Sequence, residues 1–265
     1  MNFFFKKKFG QNFISDVNLL KSIVLGAGIE KNDTALEIGC GGGSLTAQLC
    51  EKAGFVIGYE IDNSLNEILA ENLKDYNNVK IIYGDFLKAD VSALEKELTE
   101  YKVVANLPYY ITTPIITKLI NESEKLKSLT VTVQEEVAER LTAVSGTKEY
   151  GSITVFISAF CDVKIVKKVS RKMFYPVPNV DSAVIKIDIN KNKYDIKDKA
   201  LFQKILFAVF SGRRKTLVNN LISCFSLSRD VCGDIIKSLG LDINIRGEAL
   251  SVSQFVELYK IILDK

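Results

Sequence analysis

The 265-residue chain has no histidine and no tryptophan. Without histidine, a Ser-His-Asp or Cys-His relay is impossible, and so is any His-containing zinc site. The five cysteines, Cys40, Cys50, Cys161, Cys224 and Cys232, are odd in number, widely spaced and never in a C-x-x-C pair. That pattern argues against a disulfide framework or a Cys-only metal site and fits a reducing cytosol. No apolar run approaches the ~18 residues needed to span a bilayer. The start, Phe3-Phe4-Phe5 followed by Lys6-Lys7-Lys8, reverses the order of a secretory leader, so a cytoplasmic protein with no membrane and no metal is expected.

Excess charge of either sign is also missing: 35 Lys+Arg face 32 Asp+Glu, a formal +3. That sum alone nominates no polyanionic partner. Its distribution is uneven. The windows 1–15, 160–175 and 201–220 together hold twelve basic residues and one acid, Asp162, which leaves the remainder at −8.

Hydrophobic residues make up 47% and charged residues 25%, enough to bury a sizeable core in one large domain plus a small one. Short apolar runs at Thr34 to Ile38, Phe55 to Ile61, Val79 to Tyr83, Val103 to Ala105 and Leu129 to Val133 alternate with helix-length segments at Ser44 to Ala53, Ser64 to Leu73, Ala93 to Leu98 and Thr113 to Ile120. Alternation of this kind predicts an α/β fold, a doubly wound parallel sheet with its ligand at the carboxyl ends of the strands. Further strands are read at Val163 to Val169 and Ser182 to Ile189. Beyond the polar linker Asn190 to Lys199 the pattern is helical, at Leu201 to Phe210, Thr216 to Ile222, Arg229 to Leu239 and Ser253 to Leu263. The expected division is therefore a Rossmann-like domain over 1–189 and a helical domain over 190–265.

Leu36-Glu37-Ile38-Gly39-Cys40-Gly41-Gly42-Gly43-Ser44 runs from a strand through a glycine turn into a helix. Glycines permit positive φ and close approach of a ligand to the backbone. The spacing meets the dinucleotide fingerprint only loosely. Glu60 ends the second strand, where an acid can accept hydrogen bonds from ribose hydroxyls, and Asp85 ends the third, within reach of an adenine or its ribose. Together they point to a nucleoside-containing cofactor, either a dinucleotide or S-adenosylmethionine.

Val103-Val104-Ala105-Asn106-Leu107-Pro108-Tyr109-Tyr110 follows the fourth strand. It resembles the N/D-P-P-Y/F motif of methyltransferases acting on the amine of adenine, where the Asn oxygen and a main-chain carbonyl accept hydrogen bonds from that amine and the aromatic ring stacks on the base. An adenine amine is a poor nucleophile because its lone pair is delocalised, and two acceptors on its hydrogens favour the pyramidal, nucleophilic form. Alignment can supply about 7–11 kcal/mol of such a barrier. A protein without histidine can do this.

Over essentially the whole chain the sequence resembles the KsgA/RsmA family of small-subunit (16S) ribosomal RNA adenine dimethyltransferases, related to the Erm enzymes. The matching segments are Lys8-Phe9-Gly10-Gln11-Asn12-Phe13-Ile14-Ser15-Asp16, Leu36 to Thr46, Asn106 to Pro114, Phe174 to Val184 (F-x-P-x-P-x-V-D-S-A-V) and Arg213 to Leu221 (R-R-K-T-L-x-N-N-L). Two positions depart from the pattern: the family commonly has proline at Cys40 and an aliphatic residue at Gly42. Three consecutive glycines should leave this loop more flexible. Cys40 has no base beside it in the motif and is not expected to be a nucleophile.

The resemblance implies a Rossmann-like S-adenosylmethionine-dependent methyltransferase domain followed by a small helical domain. It implies that Asn12, Ile14 and Gly39 hold the methionine end of S-adenosylmethionine, that Glu60 takes the ribose and Asp85 the adenine, and that Asn106 stands where cofactor and target amine meet. Leu107 and Pro108 complete the catalytic loop, and Tyr109 and Phe174 sandwich the flipped target base. Lys6, Lys7, Lys8, Lys168, Arg171, Lys172, Arg213, Arg214 and Lys215 would contact RNA phosphates, although Arg213 to Lys215 could instead pair with acids of the larger domain. The implied activity is dimethylation of two adjacent adenines in a hairpin near the 3′ end of small-subunit rRNA. The enzyme would act as a monomer on a 30S assembly intermediate. The alternatives are an Erm-like methyltransferase of large-subunit rRNA, or a noncatalytic ribosome-assembly or transcription factor on the same scaffold.

Overall fold

The computed structural model describes Phe13, Ile14 and residues 16–264. The chain forms two compact units, one running to Ala138 and including Val163–Ile189, the other made of Glu139–Asp162 and the chain from Asn190 onward.

In the first unit, β1 (Phe13–Ile14) leads into α1 (Val17–Ala27). The Asp16 carboxylate caps this helix by accepting the Leu19 N–H at 2.9 Å, and Gly28 closes it in the left-handed conformation. Leu19, Leu20, Ile23, Val24 and Ala27, at helical spacing, form its buried face. The chain then alternates: β2 (Thr34–Ile38), α2 (Ser44–Cys50), β3 (Phe55–Glu60), α3 (Asn66–Leu73), β4 (Val79–Tyr83), α4 (Val91–Glu95), β5 (Tyr101–Asn106), α5 (Tyr109–Glu122), β6 (Leu126–Gln134) and α6 (Glu135–Leu141). After α7 (Ser152–Phe160) come β7 (Cys161–Val169), β8 (Phe174–Tyr175) and β9 (Ser182–Ile189).

Among the described residues these strands form a seven-stranded sheet in the order β4-β3-β2-β5-β6-β9-β7, and β8 pairs separately with β1. The ladders from β4 to β6 are parallel, as expected, but β9 is antiparallel to β6. Strands β5, β6 and β9 are buried along runs such as Val103-Val104-Ala105 and Ala183-Val184-Ile185, since the sheet is covered on both faces. Chain order reverses between β2 and β5, which is where an open α/β sheet leaves a crevice. Gly39 follows one of these strands and Asn106 ends the other.

Helix α5 begins at Tyr109, not at Thr113 as its periodicity suggests, so Tyr109 and Tyr110 form its first turn. Pro108 sits at the N-cap and its carbonyl receives the Ile111 N–H at 3.1 Å and the Thr112 hydroxyl at 3.2 Å.

The second unit contains α8 (Lys199–Phe210), α9 (Leu217–Phe225), α10 (Arg229–Ser238) and α11 (Val252–Leu263), N-capped by Asp198, Thr216, Ser228 and Ser251. It also takes Glu139–Asp162, which the sequence reading placed in the first domain. The physical reason is α7, whose Val155, Phe156, Ile157, Ala159 and Phe160 are all buried. Phe160 meets Phe202 edge-on at 6.2 Å between ring centroids, and Phe202 meets Tyr259 likewise at 5.8 Å, so one aromatic chain joins α7, α8 and α11. Among the described residues no helix is long and apolar enough to cross a membrane.

Candidate active site

A cavity of about 220 Å³ opens at the carboxyl ends of β2, β3, β4 and β5. Its floor is the glycine loop. Gly39, Gly41 and Gly43 have φ of 81°, 56° and 84°, conformations that side chains with a Cβ rarely adopt. The loop is pinned by the Gly39 N–H donating to the Tyr59 carbonyl at 2.7 Å and by the Asn72 amide donating to the Gly42 carbonyl at 2.7 Å. A Cβ on Gly39 or Gly42 would meet nothing within 4 Å, so the backbone there faces open space. Phe13 lies on Gly41: a Cβ built on that glycine would be 2.5 Å from the Phe13 ring.

Glu60 is 2% exposed and holds two backbone donors, the Gly41 N–H on one oxygen and the Asp62 N–H on the other, each at 2.8 Å. A carboxylate oxygen accepts two hydrogen bonds, so each keeps capacity for a ligand hydroxyl. Asp85, half-buried, accepts the Leu87 N–H at 3.0 Å and lines the same cavity. Ile14, Gly39, Asn106, Leu107 and Pro108 are also on its wall. Five elements distant in sequence are thereby brought around one space.

Sequence reasoning gave no role to Glu37 and Tyr110, which also line the cavity. Burial, with the negative Glu60 nearby, pushes the Glu37 carboxyl up to about 8. Its Oε2 and the Thr46 hydroxyl have no hydrogen-bond partner among the described residues. An acid in the last residues of a buried strand was the available signal. Cys40 is buried, and desolvation followed by the charges of Glu37 and Glu60 drives its thiol well up, so it stays protonated and unreactive.

The aromatic residues differ from expectation. Tyr109 is half-buried outside the cavity lining, with its hydroxyl 2.8 Å from that of Ser182. Burial raises its pKa. Tyr110, 63% exposed, is the residue of this pair that lines the cavity. Phe174 is 2% exposed, packs in the apolar cluster with Ile14, Leu20 and Val184, and does not line the cavity. Its register opposite Ile14 in the β1–β8 ladder turns the ring into that cluster, so it is a core residue here and not an open face for a base.

Of the proposed RNA contacts, Lys6, Lys7 and Lys8 lie outside the described residues, as does Asn12. Lys168 is exposed and pairs with Glu135 at 2.5 Å. Arg171 and Lys172 are exposed, and the Arg171 guanidinium donates to the Asn179 carbonyl at 3.0 Å. In the helical unit Arg213 donates to the carbonyls of Lys148, at 3.1 Å, and Tyr150. Arg214 and Lys215 are exposed. Among the described residues no group of three or more His, Cys, Asp or Glu could hold a metal ion.

Comparison with known proteins agrees with this geometry. The family model described as ribosomal RNA adenine dimethylase matches residues 2–264. A Clostridium botulinum protein named ribosomal RNA small subunit methyltransferase A is 44% identical over 263 residues, covering 99% of this chain and 95% of that one. A dimethyladenosine transferase from Plasmodium falciparum superposes with a TM-score of 0.82 at 26% identity, covering 95% of this chain and 98% of the other. The 23S rRNA methyltransferase ErmE gives 0.72 at 25% identity, covering 96% of this chain and all of the other. With its Rossmann-like sheet, its glycine loop and its Asn106 motif, the chain belongs to the ribosomal RNA adenine dimethylase family.

Proposed function

We propose that the protein is an S-adenosylmethionine-dependent rRNA adenine dimethyltransferase, modifying the exocyclic amine of two adjacent adenines in a hairpin near the 3′ end of small-subunit rRNA. It acts in the cytoplasm, as a monomer, on a small-subunit (30S) assembly particle. The observation that carries this reading is Asn106 at the end of β5, on the wall of the same cavity as Gly39, Glu60 and Asp85.

The residues present suit the cofactor. Gly39 and Gly42 leave open backbone, Glu60 keeps acceptor capacity on both oxygens, and Glu37 presents an unpartnered polar oxygen. Gly39 and Ile14, with Asn12, would hold the methionine part, Glu60 the ribose and Asp85 the adenine. S-Adenosylmethionine supplies a methyl group already activated by its sulfonium, so no metal or strong base is required. The Asn106 side-chain oxygen accepts one hydrogen of the target amine and the Leu107 carbonyl the other, because the Pro108 carbonyl is already occupied by Ile111 and Thr112. Pro108 starts α5 and sets the direction of the loop, and the ring of Tyr110 in the first turn of that helix flanks the base. The likeness to the Plasmodium dimethyladenosine transferase and the identity to the Clostridium relative support this reading.

The test is to incubate the protein and radiolabelled S-adenosylmethionine with small and large ribosomal subunits from cells lacking the enzyme, then identify labelled nucleosides. Dimethyladenosine confined to the small subunit is the expected result. Label in the large subunit would establish the Erm-like alternative, and no label in either would leave the noncatalytic one.

A further inference from the structure

The F-x-P-x-P-x-V-D-S-A-V segment runs into β9, whose first residue, Ser182, is fully buried. A buried hydroxyl needs a hydrogen-bond partner. Ser182 finds one 73 residues away in sequence, the Tyr109 phenol at 2.8 Å. Burial raises the pKa of that phenol, so it keeps its proton at neutral pH and either oxygen can donate. Topology explains the meeting. Because β9 is antiparallel to β6, its first residue stands at the carboxyl end of β6, opposite Gln134, while Asn106 ends β5 on the other side of β6, opposite Thr132. The bond therefore ties the head of α5, which follows β5, to the strand beyond β6. Ser182 is itself firmly held. The preceding residue, Asp181, accepts the Glu135 N–H on its carbonyl at 3.1 Å and the Arg171 N–H on its carboxylate at 2.8 Å. At the other end of the tie, Ile111 and Thr112 both donate to the Pro108 carbonyl, which makes Pro108 and the first turn of α5 one piece.

We infer that Ser182 is a positioning residue for methyl transfer: by holding the Tyr109 phenol it fixes the first turn of α5, and with it the Leu107 carbonyl between that turn and Asn106. The inference rests on the roles given above to Asn106 and Leu107. It assigns Tyr109 a function that does not need its ring in the cavity. Leu107 has the β5 ladder on one side, through Asn106, and the Ser182 tie on the other, through Tyr109. Releasing one side lets the carbonyl shift without unfolding the sheet. A misplacement of about 1 Å can cost about a hundredfold in rate when reaction depends on alignment, so a partial release costs less than that but is measurable. Support of this kind, a buried polar group behind the groups that touch substrate, is how a site on a loop is held to its productive geometry.

The test compares wild type with Ser182→Ala, Tyr109→Phe and the double variant. Tyr109→Phe keeps the ring and removes only the hydroxyl. Methyl transfer to unmethylated small subunits gives kcat and KM, titration calorimetry gives S-adenosylmethionine affinity, and amide hydrogen exchange reports on Leu107 and residues 109–112. Each single variant is expected to lower kcat about tenfold, with KM and cofactor affinity unchanged. The double variant should be no slower than the singles, because both remove the same bond. Exchange at Leu107 and residues 109–112 should quicken in all three while β5 and β9 stay as protected as in wild type. Wild-type kcat in either single variant would overturn the proposal, as would losses that multiply in the double variant. A fall in kcat accompanied by a raised KM and weakened cofactor affinity would also overturn it, marking Ser182 as a residue of general stability. Should Ser182→Ala fail to fold, Tyr109→Phe carries the same comparison alone. If wild type transfers no methyl group, the functional reading fails, and exchange still decides the tie: unchanged exchange at 107–112 would show that Ser182 does not hold the turn.

Discussion

The Glu60 carboxylate receives the Gly41 N–H at 2.8 Å, joining the second strand's terminal acid to the middle of the glycine loop. One residue thus shapes the loop and, in the proposed function, offers acceptors to a ribose. Glu60→Ala removes both functions and leaves the Gly41 and Asp62 N–H groups without their acceptor. Hydrogen bonds to a charged group contribute about 1.5–3 kcal/mol, so S-adenosylmethionine affinity is expected to fall about tenfold or more by titration calorimetry. An unchanged affinity would remove Glu60 from the ribose site.

The glycines of the loop are not equivalent. Gly42 has an ordinary φ and open space around a Cβ, whereas Gly41 has φ of 56° and the Phe13 ring against it. Gly42→Ala should raise stability by about 0.4–1 kcal/mol by restricting the unfolded chain, and Gly41→Ala should lower it. Denaturant midpoints of the two variants will move in opposite directions if this is right.

Glu37 gives stability a pH dependence. Its carboxyl titrates near 8 folded, against an ordinary 4.5. Between those values the unfolded chain has lost the proton that the folded protein keeps, so stability falls as pH rises from about 5 to 8 and levels off above. Glu37→Gln should flatten this slope, and its stability relative to wild type should be greater at pH 8 than at pH 5 in chemical denaturation. A parallel pair of curves would contradict the assignment.

Arg213 and Arg214 stand side by side but should behave differently. Arg213 holds the carbonyls of Lys148 and Tyr150, so Arg213→Ala is expected to cost about 1 kcal/mol of stability. Arg214→Ala should leave the melting temperature unchanged and weaken rRNA binding, more so at low salt. Thermal melts and salt-dependent filter binding separate the two.

The sequence was most readable where local chemistry and fold agree. Thr34–Ile38, Val79–Tyr83 and Ser182–Ile189 are strands as read, because their apolar runs are short and bounded by turn residues. Gly39, Glu60, Asp85 and Asn106 share a cavity because each ends or follows one of the mutually parallel strands of the sheet. Glu139–Asp162 was misassigned because an apolar helix such as α7 carries no sign of which core it joins; Phe160 against Phe202 decides that through a contact distant in sequence. The same holds for Phe174, whose burial depends on pairing with Ile14. Motif spacing likewise could not tell that Tyr110 rather than Tyr109 would line the cavity, because that depends on α5 starting four residues early.

The central claim is that Asn106 activates the target amine and does not merely end a strand. The most direct measurement is methyl transfer from labelled S-adenosylmethionine to unmethylated small subunits by Asn106→Ala, with cofactor and rRNA affinities determined on the same preparation. Transfer is predicted to be lost while both affinities stay within a few-fold of wild type. Transfer at the wild-type rate, or loss of transfer together with both affinities, would contradict the account.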